Sequence, residues 1–321
     1  MDETTYAFLL IIIIFMSFST SFVFFYKLNL ESKQFVPEKM NVTFLDPSEV
    51  ISYSGSDLQF FPNMRFNHNV LTFTIDENCD LDKKKKMGLA FSRIEEDTEN
   101  TIIFKKIENE SLADITVTCN ESVPQVREDY FIAGEGGATS IIKTDMFHII
   151  EKGVVLLYYK QEKACIDYNI ELHELLHVLG FKHSENRMSM MYPTTQCGQI
   201  FSQDITSELT RLYKVGAIPD IYISDLTADR KGKYLNFRAE IKNQGLETAY
   251  NSKLTITAED EVIKTFKLGN ISYGEGKIMT IEYLKLPLLT DTDLLKFTLN
   301  TTTQELSINN NEVIMRVADT D

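Results

Sequence analysis

Residues 173–183, HELLHVLGFKH, hold three of the five histidines of this 321-residue chain. On a helix of 3.6 residues per turn, histidines four positions apart share one face, so His173 and His177 can reach the same metal ion. Glu174 follows the first histidine directly, so it cannot point the same way and is free to hold water. The neighbouring positions are mostly leucine and valine, which predicts a buried helix.

The third histidine is brought back by a glycine. Gly180 accepts the left-handed backbone that ends many helices, so the chain turns there and His183 returns to the same ion. Three neutral imidazoles leave the fourth tetrahedral position of Zn²⁺ to water, and the pKa of that water falls toward ~7. The pattern predicts one catalytic Zn²⁺ on His173, His177 and His183. Glu174 is then the general base that acts on the zinc-bound water.

A methionine follows the zinc motif at a fixed distance. Met191 lies eight residues beyond His183 and precedes a tyrosine and a proline, while a serine directly follows the third histidine. With these features, residues 173–193 resemble the metzincin metalloproteases and, among them, the matrixin branch. The resemblance implies an α+β catalytic domain with a mixed sheet and zinc in its cleft, and makes Met191 an apolar floor under the ligands. It also places Tyr192, Pro193 and Thr194 in the S1′ wall.

The methionine pair at residues 190–191 allows a second alignment with the metzincin pattern. With Met190 as the turn residue, Tyr192 would stand where astacin-like enzymes keep an additional zinc-ligating tyrosine. The spacing of eight residues from His183 favours Met191. Tyr192 is therefore left out of the predicted ligand set.

The matrixin resemblance extends over residues 62–214. Residues 65–66 (RF), before a predicted strand, resemble the family's opening strand, and residues 113–115 (ADI) resemble a later one. Residues 202–213 resemble its C-terminal helix.

Three features depart from the family. Gln203 replaces the first of two consecutive aspartates, which puts N-terminal docking of the family's kind in doubt. Leu176 stands where many matrixins have glycine, a change that affects only the packing behind the helix. Residues 27–60 contain no cysteine, so the family's propeptide cysteine switch is absent.

Length and composition allow two globular units. The chain has 321 residues, 43% of them hydrophobic, and a domain takes ~150 residues. In the first unit, residues 80–94 have the apolar spacing of a helix, and the glycine-rich residues 133–140 are interpreted as a flexible loop. Strands are predicted at residues 70–75, 101–107, 114–118 and 154–159.

Strand-like runs recur at short intervals after residue 216. Leu235, Phe237, Ala239 and Ile241 alternate with polar neighbours, so one face of that strand is predicted to be buried. The seven runs predict a β-sandwich of about 100 residues. They cover residues 221–226, 234–242, 252–257, 262–268, 277–284, 294–299 and 313–317.

Short motifs in this half carry a second resemblance. Residues 219–221 (PDI), 241–245 (IKNQG, with a turn at its end) and 305–311 (ELSINNN) resemble the cell-adhesion-related CARDB domains of prokaryotic surface proteins. The resemblance implies an immunoglobulin-like sandwich and a cell-surface partner.

The N-terminus reads as a membrane segment. Residues 7–26 carry no charge and match the ~20 residues that cross a bilayer as a helix. Apolar residues continue past the serines, which favours an uncleaved anchor over a cleaved signal peptide. The flanking charges alone would keep the body of the protein in the cytoplasm. The exported orientation is preferred, because a cytoplasmic protease without a latency cysteine would threaten its own cell.

Cysteines and charge limit the compartment and the partners. Cys79, Cys119, Cys165 and Cys197 form no CxxC pair and suit two disulfides in an oxidising space, with buried free thiols as the alternative. Five Asn-X-Ser/Thr sequons are compatible with export. The net charge of -15 argues against a nucleic-acid surface, and the lysine run at residues 83–86 is expected to be a solvated face.

These observations predict four parts: an anchor or signal segment at residues 1–26, a stalk at 27–61, a protease domain at 62–216 and a sandwich at 217–321. The predicted function is zinc-dependent cleavage of extracytoplasmic proteins. The alternative is a surface adhesion protein with a relic metal domain, and a zinc hydrolase of non-peptide bonds would share the same site. The sequence does not reveal whether structural Ca²⁺ is bound.

Overall fold

The computed structural model describes residues 57–121, 125–127, 130–158, 168–259, 261–287 and 294–317. The predicted membrane span and most of the predicted stalk lie outside these residues. Within them, no helix combines the length and the apolar character that a bilayer crossing requires.

A mixed six-stranded sheet forms the centre of the N-terminal half. Its strands are β1 (Met64–Phe66), β2 (Val70–Ile75), β3 (Ile103–Lys106), β4 (Ile115–Asn120), β7 (Gly134–Lys143) and β8 (His148–Tyr158). The order is β3-β2-β4-β8-β7, and β1 pairs with the start of β8. Every pair is parallel except β7 with β8. A separate hairpin joins β5 (Gln125–Arg127) to β6 (Tyr130–Phe131).

The described residues of the same half contain three α-helices, α1 (Leu81–Asp97), α2 (Asn169–Val178) and α3 (Gln203–Lys214), and one short 3₁₀-helix (Glu110–Leu112). The predicted helix at residues 80–94 is confirmed: Asp80 caps α1 by accepting a 2.7 Å hydrogen bond from the Lys83 amide. Three- and four-residue spacing puts one apolar face of α1 against the sheet. That face consists of Met87, Ala90, Phe91 and Ile94.

The prediction of a flexible loop at residues 133–140 is wrong. Gly134–Lys143 is strand β7, which pairs with β8 from end to end. Glycine is depleted in strands because it has no side chain to pack, so composition alone pointed away from a strand. The reason for these glycines is the proximity of α2.

Seven antiparallel strands form the predicted β-sandwich. They are β9 (Ile221–Lys231), β10 (Tyr234–Asn243), β11 (Ala249–Ala258), β12 (Glu261–Ile271), β13 (Gly276–Lys285), β14 (Leu294–Asn300) and β15 (Glu312–Arg316). One sheet has the order β13-β10-β9 and the other β12-β11-β14-β15. Phe237 of the first sheet meets Phe297 of the second with ring centroids 5.4 Å apart. All seven predicted strands are confirmed.

A disulfide joins Cys79, just before α1, to Cys119 near the end of β4. Cys197 is also disulfide-bonded, and Cys165 lies outside the described residues. In the structure Cys79, Cys119 and Cys197 are thus disulfide-bonded and not free thiols, and a disulfide that involves Cys165 stays a prediction.

The prediction of a solvated lysine face at residues 83–86 is wrong at one position. Nζ of Lys83 lies 3.2 Å from Oε1 of Glu171, and the two side chains are only 14% and 1% exposed. Lys86 instead pairs with Asp82 at 2.7 Å. The N-terminus of α1 is thereby tied to the first turn of α2.

The two halves of the chain touch at the turn between β7 and β8. Thr144 Oγ1 donates to the carbonyl of Gln244 at 3.0 Å, and the Tyr222 hydroxyl donates to the Asp145 carboxylate. A small apolar cluster seals this contact. Its buried members are Ile142, Phe147, Ile149 and Leu246.

Candidate metal centre

Three imidazoles converge beside the C-terminal end of α2. His173 and His177 lie one helical turn apart and both are buried, with their Nε2 atoms 3.0 Å apart. The chain leaves the helix at Gly180, whose φ is +94°. This turn brings Nε2 of His183 to 3.1 Å from Nε2 of His177. The structure therefore brings the three predicted ligands together.

Backbone carbonyls fix two of the rings from behind. Nδ1 of His173 lies 2.7 Å from the Met190 oxygen, and Nδ1 of His177 lies 2.8 Å from the Phe181 oxygen. A carbonyl only accepts, so each of these Nδ1 atoms carries the proton and each Nε2 presents a lone pair. Facing lone pairs at this distance need a cation between them.

The spacing fits zinc. Nitrogens on a tetrahedral Zn²⁺ with bonds of ~2.05 Å lie about 3.3 Å apart, close to the Nε2 separations of the cluster. One ligand atom from each of His173, His177 and His183 falls within 4.8 Å of the others. Three imidazoles also leave one tetrahedral position for water or substrate.

Burial keeps the rings in the form that binds metal. It lowers the pKa of His173 to about 4 and the pKa of His177 to about 3, with the neighbouring imidazoles adding to the effect. Partial burial also lowers the pKa of His183. All three rings are therefore neutral near pH 7, as ligation requires.

Glu174 is buried next to this cluster, with 7% of its surface exposed. The pKa of Glu174 is raised to about 8: burial is the largest cause, the charges of Glu135 and Glu171 add to it, and a hydrogen bond from the Gly136 amide opposes them. A divalent cation on the adjacent imidazoles favours the ionised carboxylate. Metal binding would thus supply the base form of Glu174.

Strand β7 passes against Glu174 at two glycines. A Cβ on Gly134 would lie 2.7 Å from Cγ of Glu174, and a Cβ on Gly136 would overlap the Glu174 backbone carbonyl. Only glycine lets the two backbones approach this closely. Their spacing of two residues, which places both on one face of a strand, is the sequence signal that indicates such an approach.

β7 is an edge strand. Among the described residues it pairs with β8 alone. Within the part of the chain that the structure describes, its other edge therefore has no strand partner. An edge of this kind is a template for an extended peptide.

The segment after His183 folds back under the cluster. The Ser184 amide donates to the Met191 oxygen at 2.7 Å. Met190 and Met191 are 4% and 1% exposed and belong to the same apolar core as the leucines of α2. Met191 is thus buried in the core against which α2 packs, and its role as a floor under the ligands stays a prediction.

The predicted S1′ residues lie on a loop that one buried glutamine organises. Tyr192 is half-buried, and Pro193 and Thr194 are exposed. Gln199 Nε2 donates to the Thr194 oxygen at 3.0 Å, and its Oε1 accepts from the Gln196 amide at 3.0 Å. No sequence pattern indicates Gln199, because its partners are backbone groups.

The other two histidines have structural partners. Nε2 of His68 lies 3.1 Å from Oδ2 of Asp114. Nδ1 of His148 lies 2.9 Å from the Pro62 oxygen, and its ring stacks on Phe61. Neither belongs to the metal centre.

Comparisons with known proteins divide the chain between α3 and β9. A family model described as Matrixin matches residues 65–214, and a CARDB model matches residues 218–314. No curated protein matches the chain.

Similar solved structures include a CARDB domain from Pyrococcus furiosus in complex with di-metal ions, at 18% identity and TM-score 0.26, covering 32% of this chain and 90% of that chain. Another is a cell-surface protein domain from Methanosarcina acetivorans, at 17% identity and TM-score 0.27, covering 32% and 94%.

Proposed function

The chain carries a matrixin-family domain at residues 65–214 and a CARDB domain at residues 218–314, and from this premise we propose that it is a zinc-dependent endopeptidase. The observation that supports the proposal best is the convergence of three Nε2 atoms next to a buried glutamate. The family match supports the metallopeptidase class, and this geometry supports an intact site.

His173, His177 and His183 would hold the ion, with the Met190 and Phe181 carbonyls orienting the first two rings. When bound, Zn²⁺ supplies Lewis-acid polarisation of the scissile carbonyl and lowers the pKa of water toward ~7.

Glu174 performs the proton transfers. Its carboxylate accepts a proton from the attacking water and passes that proton to the nitrogen of the leaving amine. The Gly136 amide, which donates to Glu174, holds the carboxylate in place. Burial of the group excludes competing bulk water and strengthens its electrostatic interactions.

The proposed substrate is an extended stretch of polypeptide. Such a chain can hydrogen-bond along the edge of β7 that pairs with no other described strand, and so pass Glu174 in a fixed direction. The exposed Pro193 and Thr194 would border the pocket for the side chain after the cleaved bond. A non-peptide substrate would gain nothing from a strand edge.

Casein or quenched-peptide cleavage by the zinc-loaded full chain tests this function. Glu174→Gln keeps the shape of the side chain and removes its basicity, so we expect a loss of about 10²–10⁴-fold in kcat/KM. Glu185→Gln, at an exposed position near the same loop, is the matched control and should retain wild-type activity. Equal cleavage by wild type and Glu174→Gln would overturn the proposal. Absence of cleavage in both, with a partner bound by the sandwich, would favour an adhesion protein.

The proposal extends to location and domain bounds. The disulfides support an oxidising, extracytoplasmic setting, with residues 7–26 as the anchor, residues 62–216 as the protease and residues 217–321 as the sandwich. The sandwich would contact a cell-surface partner. In intact cells, an impermeant antibody is expected to bind a tag placed after residue 321. Binding only after permeabilisation would overturn the exported topology.

A further inference from the structure

A short segment before the matrixin match lies directly on the metal centre. In this segment, residues 58–64, the Phe60 amide donates to the Gly180 oxygen at 2.9 Å. The Lys182 amide donates to the Leu58 oxygen at 2.9 Å, and Gln59 and Phe181 form an antiparallel bridge. Residues 58–60 thus add a strand-like partner to the turn that separates the second and third histidines.

Gln59 closes this segment on itself. Its Nε2 donates to the Met64 oxygen at 2.7 Å, and its Oε1 accepts from the Met64 amide at 3.1 Å. Only 4% of Gln59 is exposed, so both bonds are shielded from water. One side chain therefore fixes the whole loop from residue 59 to residue 64.

The closed segment also covers the glycine of the zinc motif. A Cβ on Gly180 would lie 2.7 Å from Cγ of Met64. The backbone at Gly180, at φ +94°, is thus confined on one side by Met64 and on another by the bond from Phe60. The turn has little freedom to move while the segment is in place.

The turn at residues 180–182 positions two of the metal ligands. The Phe181 carbonyl accepts the hydrogen bond from Nδ1 of His177 at 2.8 Å, and His183 follows two residues later. The Phe60 ring lies 5.8 Å from the His177 ring. Movement of residues 180–182 would rotate the second ligand and displace the third.

We propose that residues 58–64, locked by Gln59, are a positioning element that holds His177 and His183 in metal-binding geometry. The element precedes the matched range of residues 65–214 and continues into the predicted stalk. This inference rests on the proposed function only because it assumes that the bound ion is Zn²⁺. Groups that orient metal ligands typically contribute 10–100-fold to affinity.

The experiment measures Zn²⁺ affinity of the full chain by competition with a chromogenic chelator. Gln59→Met removes both hydrogen bonds and nearly keeps the volume, whereas Gln59→Ala also leaves a cavity. We expect both variants to bind Zn²⁺ about 10-fold more weakly. Asn69→Ala is the matched control, because Asn69 also donates to two carbonyls, those of Thr101 and Tyr213, away from the metal. It should change the affinity less than about 2-fold.

Deuterium exchange of the wild-type protein gives a test that needs no variant. Coupling between two sites is reciprocal, so Zn²⁺ should slow exchange at the Phe60 and Lys182 amides more than at the Asp114 amide. Unchanged exchange at Phe60 and Lys182, or wild-type Zn²⁺ affinity in both Gln59 variants, would overturn the proposal. An effect limited to Gln59→Ala would also overturn it, since packing alone would then explain the loss.

These readouts separate the two proposals. Loss of Zn²⁺ affinity in the Gln59 variants together with no casein cleavage by wild type would leave the positioning element standing and remove the protease. Normal cleavage with unaltered Zn²⁺ affinity in the variants would do the reverse.

Discussion

The ion pair between Lys83 and Glu171 gives the sharpest stability prediction. Glu171 is 1% exposed and Lys83 14%, so the carboxylate is shielded from water and the ammonium largely so. Lys83→Met keeps an unbranched aliphatic side chain but removes the ammonium that pairs with the Glu171 carboxylate. Removal of one partner from a buried pair costs about 3–5 kcal/mol, a large part of the 5–15 kcal/mol that stabilises a typical domain. Lys86, whose ammonium also feels the Glu171 charge, would reduce this cost toward the lower value.

The double variant Lys83→Met with Glu171→Leu removes the charge as well as its partner. Apolar replacement of a whole buried pair is often neutral or stabilising, so we expect it to recover most of the loss. Urea unfolding of the metal-free protein, followed by circular dichroism at about 222 nm, is the assay. That signal reports on the N-terminal half, since all α-helices of the described residues, α1 to α3, lie there.

Lys105→Met provides a control, because Lys105 is an exposed lysine on β3 and its loss should cost under ~0.5 kcal/mol. A cost below ~1 kcal/mol for Lys83→Met would refute the reasoning. So would a double variant whose loss of unfolding free energy equals the sum of the losses in Lys83→Met and in Glu171→Leu. Either result would mean that the pair is hydrated in solution and does not hold α2 in position.

Three further predictions concern the site and its frame. Gly136→Ala should reduce casein cleavage by at least about 100-fold by pushing Glu174 out of place, whereas Gly88→Ala, where a Cβ meets nothing within 4 Å, should have no effect. Removing the disulfide between Cys79 and Cys119 by double serine substitution frees a loop with a sequence separation of 40 and should lower the unfolding free energy by about 4 kcal/mol in urea titrations. The third prediction concerns the pKa of Asp114, which burial alone would raise. Hydrogen bonds with His68 and Thr72 outweigh burial and lower this pKa below its ordinary value. The stabilisation by Asp114 is therefore present above about pH 4 and is lost as the pH falls through the lowered pKa, so the urea midpoints of wild type and Asp114→Asn should converge in acid.

The sequence was sufficient to predict the parts of the site that one short segment encodes. His173, His177, Glu174, Gly180 and His183 lie within eleven residues, and a single helix followed by a left-handed turn converts their spacing directly into geometry. The sandwich strands were predictable for a similar reason, because alternation along one strand reports burial without reference to its neighbours.

The remaining contacts join residues that are far apart in the chain. Gln59 acts on a turn about 120 residues later through backbone groups, which any residue type would present. Lys83 lies in a run of four lysines, and nothing in that run distinguishes the one that meets Glu171. The contact between Lys83 and Glu171 depends on the packing of α1 against α2, which no local pattern specifies.

The glycines of β7 show most clearly why local rules fail next to a catalytic group. Residues that pack well in a strand have bulky side chains, but side chains at positions 134 and 136 would displace Glu174. Proximity of the strand to Glu174 therefore selects the residue type that composition rules assign to loops. A strand with poor intrinsic propensity can persist here because β8 pairs along its whole length and the contact with the sandwich secures the following turn. Where a glycine-rich stretch breaks the strand pattern close to a metal motif, the physical cause to consider first is the close approach of two backbones.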